Sequence, residues 1–166
     1  MKSKVVKSIR PSMLIGLLIS LAMIAGALFF QYYMLLNPCP LCIVQSLIVM
    51  LLACLFLLAF IQAPKYWGRR IYGLLLAFTS IAGLAVAGRH TWLQYLPPER
   101  IPECGPGLEF WMKNLPTNEI IQKIFHGSGE CAEVAWTFVS LSIPEWSLIA
   151  FGLFLIYSLK LFLMGR

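Results

Sequence analysis

The sequence predicts an all-α membrane protein: a bundle of four transmembrane helices with a long outer loop that contains a short interfacial helix. Three observations carry this prediction. The 166 residues are 60% hydrophobic and only 12% charged, too apolar for an ordinary soluble domain. The apolar residues gather in four runs, at about 13–33, 43–63, 71–88 and 146–164. Each is close to the roughly 17–25 residues that a helix needs to cross the hydrocarbon core. Finally, the charges segregate. Lys2, Lys4, Lys7 and Arg10, then Lys65, Arg69 and Arg70, then Lys160 and Arg166 make nine cations with no acid among them. All seven acids fall between Arg89 and Trp146, accompanied by four cations. By the positive-inside rule both termini and the 62–70 connection are cytoplasmic. The formal charge of +6 therefore reports topology, and no nucleic-acid binding is read into it.

Taken in order, the first run follows a basic tail and contains Ala25-Gly26-Ala27, which imitates a signal-peptidase site. The apolar stretch continues through Leu28, Phe29 and Phe30, too long for a signal sequence, so it is read as an uncleaved span. The second run begins just after Asn37-Pro38-Cys39-Pro40-Leu41-Cys42. The third is bracketed by Arg70 and Arg89, which predicts a short, upright helix. Within it Gly73 and Ala77, then Gly83 and Ala87, recur at helical spacing and make it a close-packing helix. In the fourth, Lys160 lies about one turn from the end, where its amine can snorkel to the headgroups. The whole chain, 1–166, reads as a single integral-membrane domain with outer segments at about 34–42 and 89–145. The longer segment is too small for a core of its own. Within it Glu119–Phe125 places Ile120, Ile121, Ile124 and Phe125 on one helical face, suited equally to lying in the interface or to packing on the bundle top.

Chemistry enters with the cysteines. Cys39 and Cys42 form a C-x-x-C pair at the membrane surface, with Cys42 at the start of a transmembrane helix. Partial positive charge at a helix start favours a thiolate, and a thiolate at the lipid boundary is placed to react with something dissolved in lipid. Cys54 lies roughly 18 Å deeper along the helix and is read as a small buried hydrophobe. The other four, Cys39, Cys42, Cys104 and Cys131, share the outer side, where an oxidising compartment allows three pairings. Gly105-Pro106-Gly107 follows Cys104 and Gly127-Ser128-Gly129 approaches Cys131. That freedom suits thiol–disulfide exchange, in which an attacking sulfur must line up with a disulfide. A purely structural Cys104–Cys131 bridge would close a loop of about 28 residues and stabilise by about 3–4 kcal/mol, but it leaves the C-x-x-C without a role. A four-cysteine zinc site has the right ligand count, yet only one pair has knuckle-like spacing, and no metal is assigned. His90 and His126 are ordinary polar residues on this reading, with His90 marked only by following Arg89 at the outer end of the third span.

These residues together resemble the disulfide bond formation protein B (DsbB) family of bacterial inner membranes. The resemblance covers most of the chain. It rests on four spans, Asn37-Pro38-Cys39-Pro40-Leu41-Cys42-Ile43, Arg89-His90-Thr91-Trp92-Leu93-Gln94 and a cysteine at 104. It rests also on Gly127-Ser128-Gly129-Glu130-Cys131-Ala132-Glu133 with Trp136, and on Ile143-Pro144-Glu145-Trp146 entering the last span. The resemblance implies a multi-pass inner-membrane thiol:quinone oxidoreductase with its cysteine pairs periplasmic. Such a protein reoxidises a DsbA-like thioredoxin-fold oxidase and passes electrons to ubiquinone or menaquinone in the bilayer; that this system keeps the periplasm oxidising is established. Carried over by position, Cys104 accepts the partner's thiolate, and its disulfide partner Cys131 relays by attacking Cys39. Cys42 is then released to react with quinone, and His90 matches a position near the quinone headgroup.

One position departs from the family pattern. An arginine usually stands four residues after the second C-x-x-C cysteine, one turn below it on the same helix face. Here it is Ser46. A cation there could stabilise the Cys42 thiolate and a reduced quinone; serine offers a neutral hydrogen bond. Either Arg89 substitutes from the third helix or the chain is a weakened variant. Two other readings compete: an enzyme similar to vitamin K epoxide reductase, whose C-x-x-C tends to sit late in the chain, and a non-catalytic metal-binding assembly factor.

Overall fold

Among the described residues, four helices are long and apolar enough to cross a membrane: Arg10–Tyr32, Pro40–Gln62, Tyr66–Gln94 and Ile143–Leu163. They belong to a computed structural model that describes residues 2–102, 110 and 113–163. We label the helices α1 (Lys2–Tyr32), α2 (Pro40–Gln62), α3 (Tyr66–Gln94), α4 (Thr117–His126) and α5 (Ile143–Leu163). A two-residue hairpin, β1 (Thr137–Phe138) against β2 (Leu141–Ser142), precedes α5 and was not anticipated from the sequence. Its turn residues Val139 and Ser140 are left-handed, at φ 52° and 62°, without the Asn-Gly signal that usually marks such a turn.

The helix starts and stops follow local chemistry. Pro40 opens α2, where its missing N–H costs nothing, and the Cys39 sulfur caps the helix by accepting from the Cys42 N–H at 3.4 Å. Left-handed Ala63 and then Pro64 end it. At the start of α5 the Glu145 carboxylate accepts from the Ser142 N–H at 2.6 Å, and the Tyr95 hydroxyl donates to the same carboxylate at 2.7 Å. This ties the end of α3 to the beginning of α5.

One boundary differs clearly from expectation. The third helix is not a short element spanning 71–88; it has 29 residues, from Tyr66 to Gln94. Arg70 and Arg89 mark the ends of its most apolar stretch, but nothing at either position breaks the backbone, so the helix extends beyond both. That extension places His90 and Gln94 within the helix, on a rigid support.

Packing is most extensive between α3 and α5, then between α1 and α2 and between α2 and α3. The glycines of α3 explain the first contact. A Cβ at Gly83 would meet Phe151 at 2.5 Å, and one at Gly73 would meet the backbone nitrogen of Phe162 at 2.9 Å. The core comprises Met13, Leu52, Phe56, Leu76 and Phe151, all fully buried, while Ile15, Leu18, Phe78, Leu153 and Ile156 face outward as a lipid-contacting surface should. Helices α1 and α5 do not pack closely along their length. They are bridged near the end opposite the C-x-x-C, where the Tyr157 hydroxyl donates to Ser12 Oγ at 2.9 Å. A lateral opening therefore runs between them, floored by α2.

Candidate active site

The break between α1 and α2 places Cys39 just outside the second span and Cys42 within its first turn. A C-x-x-C at a helix start brings both sulfurs to one side, and they lie 3.1 Å apart. From α3, His90 approaches so that Nε2 is 3.7 Å from Cys39 Sγ. Its other ring nitrogen, Nδ1, lies 3.2 Å from the amide nitrogen of Gln45, which is buried on α2 one turn below Cys42. A helical turn at Gly129–Cys131 then lowers Cys131 onto the group. Cys131 is fully buried and packs in one cluster with Cys39, Leu41, Val86 and Leu93. Ser128 Oγ lies 3.7 Å from its sulfur.

Two devices hold that turn in place. Gly127 ends α4 at φ +81°, and a Cβ there would clash with Leu93. The Arg89 guanidinium donates to the His126 carbonyl at 2.9 Å and lies 4.4 Å over the Trp92 ring. Ile124 of α4 packs on the Cys39–Cys131 cluster. Of the two placements open to the 120–125 stripe, this residue takes the bundle top.

The electrostatics of the buried sulfurs follow from their proximity. Hydrogen bonding to Cys39 and then burial hold the Cys131 thiol above the ordinary thiol range. The Cys131 thiol pulls Cys39 the other way, but the hydrogen bond to Cys42 and burial outweigh it and push Cys39 up to about 12. With both reduced, these two sulfurs therefore keep their protons at neutral pH.

Below Cys42 lies a cleft of about 510 Å³. Its walls are Met23, Ala27 and Phe30 of α1 and Ile143, Trp146 and Ala150 of α5; Cys42, Gln45, Ser46 and Val49 of α2 form the floor. Trp136 and Phe138 roof it: Phe30 and Trp136 rings are 4.8 Å apart, Trp136 stacks on Phe138, and the Trp146 indole N–H donates to the Phe138 carbonyl at 3.1 Å. A second hollow lined by Ile15, Gly16 and Ile19 of α1 and Leu153 and Tyr157 of α5 continues the same opening, sharing Ile19 and Ala150 with the first. An apolar slot entered from the side, with a few polar groups at one end, suits a flat ring on an apolar tail.

The residues singled out from sequence thus divide. Cys39, Cys42, His90 and Cys131 meet, and Ser46 sits in the cleft, its hydroxyl donating to the Cys42 carbonyl at 3.0 Å. Arg89 is not among the residues lining the cleft. Cys104 lies outside the described residues. Cys54, expected as a small hydrophobe buried at lipid depth, is exposed on the surface of α2. Sequence reading missed Gln45 and the aromatic roof. Gln45 could have been found as a polar residue in an apolar span, three residues from Cys42, because such residues pair inside the bundle.

Comparison with known proteins adds the following. A family model described as disulfide bond formation protein DsbB matches residues 9–161. A protein named disulfide bond formation protein B from Nitrosococcus oceani is 44% identical over 159 residues, covering 96% of this chain and 93% of its own. One of the same name from Methylococcus capsulatus is 45% identical over 144 residues, covering 87% and 88%. Disulfide bond formation protein B 1 from Pseudomonas aeruginosa is 41% identical over 154 residues, covering 93% and 94%.

Proposed function

The chain belongs to the DsbB family, and on that premise we propose that it generates disulfide bonds as a thiol:quinone oxidoreductase of the bacterial inner membrane. It reoxidises a periplasmic DsbA-like thioredoxin-fold dithiol and passes the electrons to ubiquinone or menaquinone. The observation that supports this best is that the C-x-x-C faces two ways. Cys39 packs against the loop cysteine Cys131, whereas Cys42 lines the lateral cleft, which neither Cys39 nor Cys131 does. Charge segregation supports the sidedness, with both termini cytoplasmic and the cysteines periplasmic.

In this mechanism the partner's thiolate attacks Cys104 of a Cys104–Cys131 disulfide, forming a mixed disulfide and releasing Cys131 as a thiolate. Cys131 then attacks Cys39; the Cys39–Cys42 bond breaks, and Cys42 leaves as a thiolate at the helix start, where backbone N–H groups favour it. The partner's second thiolate frees Cys104, which returns to Cys131 and releases Cys39. Cys39 and Cys42 re-form their disulfide with loss of two electrons and two protons. A quinone in the cleft supplies the acceptor for both. Met23, Phe30, Val49 and Trp146 would hold its ring and tail, with Gln45 and Ser46 as the polar groups that orient it. His90 Nε2, beside Cys39 Sγ, can exchange a proton with that sulfur.

The test is loss of quinone absorbance when the purified protein is given a soluble dithiol. Cys42→Ala should abolish it and Cys54→Ala should not. Quinone reduction at the unaltered rate in Cys42→Ala would remove the proposed role of the cleft.

A further inference from the structure

The donor set around Cys39 has a property that electron relay does not require. One donor atom from each of Cys39, Cys42 and His90 lies within 4.8 Å of the other two. Two of the edges are 3.1 Å, between the sulfurs, and 3.7 Å, from Cys39 Sγ to His90 Nε2. A tetrahedral d10 cation with bonds of about 2.3 Å to sulfur and about 2.0–2.1 Å to nitrogen requires edges of roughly 3.5–3.8 Å. The two measured edges lie within about 0.7 Å of that geometry, and the third is at most 4.8 Å. We propose that the reduced Cys39–Cys42 pair and His90 form a site for a thiophilic d10 cation such as Zn²⁺, supported by Gln45, and that the bound cation holds the protein out of turnover.

Three features favour this over a chance cluster. The first is charge. Two thiolates cancel the dication, so the loaded site is neutral, as a buried position at a membrane boundary demands. Each thiol gives its proton to solvent on binding, and no electron moves. The second is the orientation of the imidazole. Metal-bound histidines donate their other N–H to a fixed acceptor, which sets the tautomer. Gln45, itself buried, stands 3.2 Å from Nδ1. Turning its amide over presents the oxygen to Nδ1–H and leaves the Nε2 lone pair for the cation. The third is composition. Two sulfurs and one imidazole make a soft set that selects Zn²⁺ or Cu⁺ over Mg²⁺ or Ca²⁺, and three protein ligands leave a fourth position open. It differs from the four-cysteine site considered from sequence, because His90 replaces the loop cysteines.

The site exists only while Cys39 and Cys42 are reduced, since their disulfide removes both thiolates. That the cation blocks turnover rests on the function proposed above: a cation on both sulfurs leaves Cys42 unable to reach the cleft and the disulfide unable to re-form. Binding itself does not rest on it.

The test is a titration of the full chain in detergent with Cd²⁺, a spectroscopic stand-in for Zn²⁺, in a Cys54→Ala/Cys104→Ala background. Reduced protein should show a thiolate-to-cadmium ultraviolet band saturating at one equivalent and reversed by Zn²⁺. Oxidised protein should show none. His90→Ala should weaken binding by at least about tenfold, and Gln45→Leu by about 10–100-fold, both judged on samples that keep their helical circular dichroism. Equal affinity in wild type and both variants would overturn the site, as would a saturating band in oxidised protein. Should His90→Ala fail to fold, the comparison of reduced with oxidised protein and the Gln45→Leu variant still decide. A separate arm reads turnover of prereduced protein with Cys54 and Cys104 restored as Zn²⁺ is added. Inhibition that tracks occupancy supports the blocking role; full turnover at full occupancy refutes that role alone. A protein with no quinone turnover at all would refute the proposed function and leave the titration standing.

Discussion

Cys131 has the most sharply defined proposed role of any single residue. It is fully buried against Cys39, and its only part in the mechanism is to pass the exchange inward. Cys131→Ala should therefore trap a mixed disulfide between Cys104 and the soluble partner, seen on non-reducing gels at the summed mass. Failure to accumulate it while Cys104 still reacts with alkylating reagents would argue against the relay order. Ser46 carries a second prediction. Its hydroxyl is spent on the Cys42 carbonyl, and Arg89 is turned to His126 and Trp92 instead of the cleft. Among the described residues no arginine or lysine lines the cleft, so Ser46→Arg should raise quinone turnover by about tenfold. That corresponds to the roughly 1.5–3 kcal/mol of a hydrogen bond to a charged group, discounted for exposure. An unchanged rate in stopped-flow measurements would show that the family arginine is not missed here. Cys39 and Cys42 were legible because they stand at a break between spans, where periodicity stops and chemistry shows, whereas a role for His90 came only from the family resemblance. Gln45 was not legible: a lone amide in an apolar helix gives no sign of its partner until α3 delivers His90, 45 residues later.

At the scale of elements, α4 and the turn after it deliver Cys131 to its target, and the hinge between them is Gly127. Its φ of +81° disfavours any side chain, and the nearby Leu93 leaves no room for a methyl group. Gly127→Ala should slow the relay from Cys131 to Cys39, measured as release of the mixed disulfide, while leaving direct reduction of the Cys39–Cys42 pair by a small thiol unchanged. Equal slowing of both steps would mean that the substitution disturbs the bundle itself. The α3–α5 contact supports the other side of the site. A valine at Gly73 would drive into the Phe162 backbone, which cannot move aside as a side chain can. Gly73→Val should cost about 1–3 kcal/mol by overpacking, read as a lower thermal midpoint in detergent. An unshifted midpoint would show that the helices separate there without loss. The small-residue spacing announced this interface in the sequence, because close approach of backbones needs it. The reach of α3 to Gln94 was hidden: arginines looked like helix ends, although a charged side chain bars a helix from lipid and not from continuing into the interface. The hairpin at 137–142 was hidden too, since its left-handed turn uses Val139 and Ser140 without glycine.

For the whole molecule, the arrangement amounts to a bundle left open on one side. Helix α3 is clamped to α5 and α2 joins α1, but α1 and α5 part along the cleft that Cys42 lines, while loop residues pack on Cys39. The number of spans came from hydropathy, which acts residue by residue. The opening depends on which helices fail to pack, a property of all four at once that no window of sequence contains. This geometry is the reason to expect an enzyme that connects a water-soluble dithiol to a lipid-soluble acceptor. The direct measurement is oxidation of a reduced DsbA-like protein by catalytic amounts of the purified chain, followed by the partner's thiol content with and without ubiquinone. The proposed function predicts many turnovers with quinone present and at most the few equivalents of disulfide already held by the chain when it is absent. Sustained oxidation without quinone, or none with it, would contradict the central claim.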